Sequence, residues 1–189
     1  SDNPEIIAAK ELGIETIERA ELLGAITSDY KHSVGVAGTH GKTTTSGMIS
    51  SIMAATGSDH SAIIGGKVKH LNSSYIIGRD DDVCVFESCE YKESYLSFRP
   101  FVSVVVNVAE DHMEYFKTLD NLIASFKKYL RNTKCGGTVV YNAECENSLA
   151  MIDDYPDKKV SFGIVRGDVT ASDIISRNGL YSFTVLYHG

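Results

Sequence analysis

The sequence has no apolar run approaching the ~20 residues of a membrane-spanning helix, and its N-terminus has no basic stretch followed by an apolar one. Positive charge is also scarce, because 18 Lys and Arg against 25 Asp and Glu give a net charge of −7. Such a chain offers no basic surface to nucleic acid or to an anionic membrane. We therefore expect a cytoplasmic protein without membrane insertion and without a nucleic-acid partner.

Cysteine is sparse and lacks metal-binding spacing. The four cysteines are Cys84, Cys89, Cys135 and Cys145, and no two of them form a C-x-x-C pair. This distribution favours reduced thiols over disulfides or a zinc site. Internal repeats are lacking as well, and 43% hydrophobic residues in a chain of 189 are enough to bury the core of one domain.

One strong motif is present, the segment 34–45 with the sequence VGVAGTHGKTTT. A short apolar strand leads into a glycine-bounded turn, and Lys42 and Thr43 open an amphipathic segment. Glycines let backbone N–H groups approach phosphate oxygens, a lysine reaches the β- and γ-phosphates, and a hydroxyl ligates Mg²⁺. The strict pattern G-x-x-x-x-G-K-[ST] would need glycine at Val36, so the motif is a shortened variant. The predicted nucleotide-binding residues are Gly38, Thr39, His40, Gly41, Lys42, Thr43 and Thr44.

Apolar runs alternate with helical patterns, which predicts an α/β fold with a mostly parallel sheet flanked by helices. The predicted strands are Val34–Ala37, Ala62–Ile64, Tyr75–Ile77, Val83–Phe86, Val102–Val106, Val139–Tyr141 and Val160–Phe162. The predicted helices are Pro4–Leu12, Glu18–Gly24, Thr43–Ala55, Asp120–Arg131 and Glu146–Asp153. The alternating run Gly179–Tyr187 predicts an added edge or antiparallel strand.

Two of these strands end in clusters of ionisable residues. Strand Val83–Phe86 is followed by the segment 87–90, and strand Val102–Val106 is followed by the segment 107–112. Because the carboxyl ends of parallel strands meet at one edge, we expect both clusters to face the predicted phosphate-binding loop, residues 38–45, which we call the phosphate loop. Glu87 is a hard ligand suited to Mg²⁺, and His112 is the candidate to hold a second cation. Taken singly, Glu87 and Glu90 fit a solvated strand end equally well, and His112 fits a helix-start histidine paired with Asp111.

In their order and spacing, the loop 38–45, the acidic residues Glu87 and Glu90, and the segment 107–116 resemble the central domain of the Mur ligases. The resemblance extends from about Asn3 to the end of the chain. It implies a P-loop NTPase-like central domain that uses ATP and Mg²⁺. It also implies catalytic roles for Lys42, His40, Glu87 and His112, metal ligands at Thr43, Glu87 and His112, and supporting roles for Asn107, Glu110 and Asp111.

Within this family the sequence is most similar to members that join L-alanine to UDP-N-acetylmuramate in peptidoglycan synthesis, and His40 fits them. The implied reaction is ATP-dependent amide formation through an acyl phosphate, with UDP-N-acetylmuramate, L-alanine and ATP as small-molecule partners. Two alternatives stay open: a murein tripeptide recycling ligase, which shares the histidine, and a P-loop switch domain that makes no product. Such switches usually end the relevant strand in aspartate, and the glutamate found here favours the ligase.

The sequence departs from the family pattern at two places. The acidic motif often reads E-A-D-E-S, whereas here it reads E-S-C-E-Y, which leaves Cys89 without a role. Several members use a carbamylated lysine to help hold metal. Phe126 is nearest to that position, with Lys127 beside it, so the role is not assigned.

The family's complete enzymes have three domains, which sets an expectation for the boundaries in this chain. We expect residues 1–28 to be the tail of an upstream domain or a linker. Residues 29–189 are expected to form the central ATP-binding domain, truncated before its C-terminal end. On this interpretation the fragment alone is inactive, since the domains that hold the sugar and close over the nucleotide are not included.

Overall fold

The computed structural model describes residues 2–68, 72–79 and 82–187. Its strands are β1 (His32–Ala37), β2 (Ser61–Val68), β3 (Ser73–Ile76), β4 (Val83–Glu87), β5 (Val102–Val105), β6 (Thr138–Asn142), β7 (Lys159–Phe162), β8 (Val169–Arg177) and β9 (Leu180–Tyr187). They form one sheet in the order β3-β2-β4-β1-β5-β6-β7-β8-β9. The strands from β2 to β8 in that order run parallel, while β3 and β9 pair antiparallel at the two edges. The predicted α/β fold with an antiparallel edge strand is confirmed.

The described residues form six α-helices, and the side chain of a preceding residue caps two of them. They are α1 (Pro4–Glu11), α2 (Arg19–Asp29), α3 (Lys42–Ala55), α4 (Met113–Phe116), α5 (Leu119–Arg131) and α6 (Glu146–Ile152), with a 3₁₀ segment at Tyr91–Ser97. Asn3 caps α1 by accepting the Glu5 N–H at 2.8 Å, and Thr118 caps α5 by accepting the Asn121 N–H at 3.2 Å. These side chains satisfy backbone donors that a helix N-terminus leaves unpaired.

Apolar side chains cover both faces of the central strands of the sheet. Successive residues of a strand point to opposite faces, and on β4 Phe86 joins a large cluster with Tyr95, Phe126 and Tyr129, whereas Val85 joins a smaller one. The smaller cluster also contains Ala62 and Ile64, with Ile49 and Met53 of α3 packed against it. Burial on both faces explains why the central strands read as continuous apolar runs.

Four elements differ from the sequence prediction. Strand β8 was not predicted, because its register shifts between Ser172 and Ile175 and its sequence neither alternates cleanly nor forms an apolar run. The 3₁₀ segment and the four-residue α4 are too short for a periodic signal. Helix α2 runs to Asp29 instead of ending near Gly24, because Thr27 and Ser28 donate their hydroxyls to helix carbonyls and stay within the helix.

No described helix is long and apolar enough to cross a membrane.

Candidate active site

The phosphate loop lies between β1 and α3, and its glycines are required by the backbone. Gly41 caps α3 in the left-handed region with φ 83°, and Gly38 has φ 136°. A Cβ on Gly38 would lie 3.0 Å from the backbone oxygen of Asn107, where no side chain can move aside. The loop therefore packs closely against the backbone of the segment after β5, and α3 begins directly after Gly41. The free N–H groups at such a helix N-terminus favour a bound anion.

The segment after β5 holds this loop in place. The Asn107 carboxamide accepts the His40 N–H at 2.9 Å and donates to the His40 carbonyl oxygen at 3.0 Å. Thr39 Oγ1 accepts the Ala109 N–H at 2.9 Å and donates to the Ala109 carbonyl oxygen at 3.1 Å. Asn107 was predicted to support His112, and its observed contacts instead fix the backbone of the phosphate loop.

Lys42 is held at the mouth of the loop by a buried carboxylate. Its Nζ lies 2.9 Å and 3.1 Å from the two oxygens of Glu90, whose side chain is 1% exposed, and 2.6 Å from the Gly38 carbonyl oxygen. Glu90 has no predicted role beyond its place in the acidic segment 87–90. A signal that could have revealed it is the spacing of two acids, since Glu90 follows Glu87 by three residues, directly before the 3₁₀ segment.

Glu87 joins three parts of the fold at the end of β4. It accepts hydrogen bonds from Thr43 Oγ1 at 3.2 Å, from Ser46 Oγ at 3.3 Å and from the Gly65 N–H at 2.6 Å. Thr43 and Glu87 thus present a hydroxyl and a carboxylate side by side at the helix N-terminus. Hard oxygen donors of this kind suit Mg²⁺, so these residues fit the predicted metal.

His112 reaches the same edge of the sheet through Glu90. Its Nε2 lies 3.9 Å from Glu90 Oε1, and its ring centroid lies 4.7 Å from that of Tyr91. On its other side, Nδ1 lies 3.8 Å from Asp111 Oδ1. One ligand atom each from Glu90, Asp111 and His112 falls within 4.8 Å of the others, a spacing suited to a cation. His112 thus lies beside Glu90, the partner of Lys42, while its role as a metal ligand stays a prediction.

Several other residues considered in the sequence lie outside the group formed by Lys42, Glu87, Glu90 and His112. Glu110 is exposed, and among the described residues it forms no hydrogen bond or ion pair with His112. His40 and Thr44 are exposed and line a shallow recess over the loop. Phe126 is fully buried, and Lys127 pairs with Asp154 at 3.0 Å, so neither offers a ligand to the site.

A cavity of about 500 Å³ opens beside the loop. Lys42, Glu87 and Cys89 line one side of it, and Arg19 and Leu23 of α2 line another. The exposed thiol of Cys89 therefore lies in the candidate site, although the sequence assigned it no role. The cavity gives a second molecule room to approach the phosphate loop.

Most of the chain matches a known protein family. Residues 36–188 match the Mur ligase middle domain. The chain belongs to the Mur ligase family. It is 42% identical over 189 residues to the UDP-N-acetylmuramate--L-alanine ligase of Acetivibrio thermocellus, covering 98% of this chain and 40% of that protein. It is 40% identical to the enzyme of the same name from Caldanaerobacter subterraneus, covering all of this chain and 41% of that protein.

Solved Mur ligase structures share the fold. The UDP-N-acetylmuramate-alanine ligase of Thermotoga maritima superposes with a TM-score of 0.82 at 26% identity, over 100% of this chain and 42% of that one. The UDP-N-acetylmuramate:L-alanyl-gamma-D-glutamyl-meso-diaminopimelate ligase of Neisseria meningitides gives 0.80 at 25% identity, over 97% and 60%. The chain thus spans about two fifths of the length of the curated Mur ligases that it matches.

Proposed function

We propose that this chain is the nucleotide-binding middle domain of a ligase that joins L-alanine to UDP-N-acetylmuramate at the expense of ATP. The proposal rests on one observation: Glu87 at the end of β4 lies against Thr43 at the phosphate loop, and Lys42 and Glu87 line the same open cavity. The names of relatives about 40% identical support the choice of substrates. We also propose that residues 29–189 form this domain and that residues 1–28 lead into it.

The chemistry starts from a carboxylate, which does not react with amines at neutral pH. Transfer of the γ-phosphoryl group of ATP to the muramate carboxylate gives an acyl phosphate, and the amine of L-alanine then displaces phosphate to form the amide. Lys42 and the N–H groups of the loop stabilise the negative charge on the transferred group. The cavity beside Lys42 is where the acceptor carboxylate would approach.

The remaining proposed roles follow from position. Thr43 and Glu87 would hold one Mg²⁺, and His112 with its neighbouring carboxylates would hold another cation. Bound there, magnesium would neutralise phosphate charge. His40 lies exposed over the loop and would orient the γ-phosphate or the acceptor. Asn107 keeps the loop in register, and Asp111 accepts the backbone N–H of His112 at 2.8 Å and so fixes the turn that presents the ring.

The proposal is tested with the complete ligase that carries this domain. Amide product should form only when UDP-N-acetylmuramate, L-alanine and ATP are all present, with ADP and phosphate released in equal amounts. Replacing L-alanine with the murein tripeptide tests the recycling ligase, whose solved structure from Neisseria is similar in fold. Preference for the tripeptide, or nucleotide binding without any product, would contradict the proposal.

Gly65 offers a test of the Glu87 position without removing Glu87. A Cβ at Gly65 would lie 2.7 Å from Glu87 Oε2, which is the end of a flexible side chain, so the carboxylate rather than the sheet must move. We expect Gly65→Ala to weaken binding of ADP with Mg²⁺ about tenfold, the loss of one charge-assisted contact. Titration calorimetry on the 189-residue chain measures the affinity.

The matched control for this variant is Gly47→Ala in α3. Among the described residues, its Cβ would meet only the Val68 side chain, at 3.4 Å, which is an ordinary contact. The affinity should therefore stay within about twofold of wild type. Equal effects of the two alanine variants would argue against a role for the Glu87 position.

A further inference from the structure

The Lys42–Glu90 pair puts a negative charge inside the candidate phosphate site. Both Glu90 oxygens lie within 3.1 Å of Lys42 Nζ, and the carboxylate is 1% exposed. Within the part of the chain that the structure describes, this ammonium otherwise donates to the carbonyl oxygens of Gly38 and Thr39, which carry no net charge. Glu90 therefore cancels the charge of the lysine that is expected to attract phosphate.

The distances limit how far a phosphate could stay from this carboxylate. A phosphate oxygen bonded to Lys42 Nζ at about 3 Å lies no more than about 6 Å from the nearest Glu90 oxygen, since that oxygen is 2.9 Å from Nζ. At an effective dielectric constant of about 20, two like unit charges at 6 Å repel enough to change an affinity by about a hundredfold before screening. Phosphates arriving alone are thus opposed by Glu90.

A divalent cation reverses this effect. Glu90 Oε1 lies 3.9 Å from His112 Nε2, and Asp111 completes a group of donor atoms within 4.8 Å of one another. A cation that accompanies the phosphates into this region is attracted by the same carboxylate that repels them. The sign of the Glu90 contribution therefore depends on whether a cation is present.

We propose that Glu90 makes nucleotide binding by this domain conditional on a divalent cation. The proposal rests on the proposed nucleotide site. Glu90 disfavours metal-free nucleotide and keeps Lys42 paired until phosphate and cation arrive together. Lys42 then exchanges its carboxylate partner for phosphate, while the cation takes over the neutralisation of Glu90. The Glu90 carboxylate thereby limits the fraction of the nucleotide site that metal-free nucleotide occupies.

The test is the affinity of the 189-residue chain for ADP, measured by calorimetry in EDTA and in excess Mg²⁺. Glu90→Gln should bind metal-free ADP at least about tenfold more tightly than wild type. For this variant, the dissociation constant in EDTA divided by that in Mg²⁺ should be at least about tenfold smaller than the same ratio for wild type. Glu90→Asp keeps the charge and should keep the wild-type ratio within about threefold. Glu93→Gln removes a nearby carboxylate that bonds Ser125 and Lys128 instead of Lys42, and should also keep it.

Unchanged or weaker metal-free binding by Glu90→Gln would overturn the proposal, as would Glu90→Asp behaving like the glutamine variant. If Glu90→Gln fails to fold, the single variant Lys42→Met is compared with the double variant Lys42→Met/Glu90→Gln. The double variant removes both charges of the pair and so leaves no buried charge unpaired. The double variant should bind metal-free ADP more tightly than the single one, and the reverse order would overturn the proposal. Failure of the wild-type chain to bind ADP even with Mg²⁺ would instead contradict the nucleotide site itself.

Discussion

Replacing Lys42 with methionine in the complete ligase is expected to lower turnover at least about a hundredfold. Methionine keeps an unbranched, flexible side chain and removes the charge that stabilises the transferred phosphoryl group. Removing one preorganised electrostatic contact from a reacting group commonly costs two to three orders of magnitude. Product formation under saturating UDP-N-acetylmuramate, L-alanine and ATP measures the effect.

The control for this experiment is Lys159→Met on β7. Lys159 is exposed and donates to the Tyr155 carbonyl oxygen at 3.1 Å, so its loss should change turnover less than about twofold. Lys42→Met leaves the buried Glu90 without its cation and should destabilise the fold, so circular dichroism must confirm that the variant is folded at the assay temperature. A folded Lys42→Met enzyme with turnover within tenfold of wild type would contradict the assignment.

The parts of the site that sequence predicted are those specified by local pattern. The glycines of the loop, Lys42 and Thr43 are fixed by a strand, a turn and a helix that are contiguous in the chain. Glu87 and His112 could be predicted at one edge of the sheet because parallel strands bring their carboxyl ends together there. These inferences need only the type and direction of each element, which periodicity supplies.

The parts that sequence missed depend on where side chains point across long separations. The Glu90 carboxylate meets Lys42 across 48 positions, and Asn107 meets His40 across 67. Glu90 lies directly before the 3₁₀ segment that follows β4, in which Lys92 and Glu93 take positive φ. No periodic signal encodes such a turn. Strand β8 was missed for a related reason, because its exposed, irregular pairing leaves no pattern of burial.

The core connects directly to the site through Tyr129 of α5. Its side chain is fully buried and stacks on Tyr95 with ring centroids 4.8 Å apart. Its hydroxyl donates to the Gly35 carbonyl oxygen on β1 at 3.2 Å and lies 3.2 Å from Ser88 Oγ, directly after Glu87. Helix α5 thus contacts the middle of β1 and the residue that follows β4, the two strands that lead into the phosphate loop and the acidic cluster.

Tyr129→Ala is accordingly expected to lower the free energy of unfolding by about 3–5 kcal/mol, the usual cost of deleting a buried aromatic side chain. Tyr129→Phe keeps the ring and removes only the hydrogen bond, so it should cost about 1 kcal/mol. Urea unfolding of the 189-residue chain, followed by circular dichroism, compares both with Tyr181→Ala, which removes a 70% exposed ring from β9 and should change stability by less than about 1 kcal/mol.

The pH dependence of these variants separates the hydroxyl from the ring. Burial raises the pKa of Tyr129 to about 12, so the hydroxyl remains a protonated donor throughout the neutral range. A raised pKa in the folded state means that this group contributes its stability below the ordinary tyrosine pKa of about 10 and loses it only at higher pH. The difference between wild type and Tyr129→Phe should therefore be constant between about pH 6 and 9. A difference that changes across that range would contradict the role given to the Tyr129 hydroxyl. An alanine variant as stable as the phenylalanine variant would show that the Tyr129 ring does not join α5 to the site.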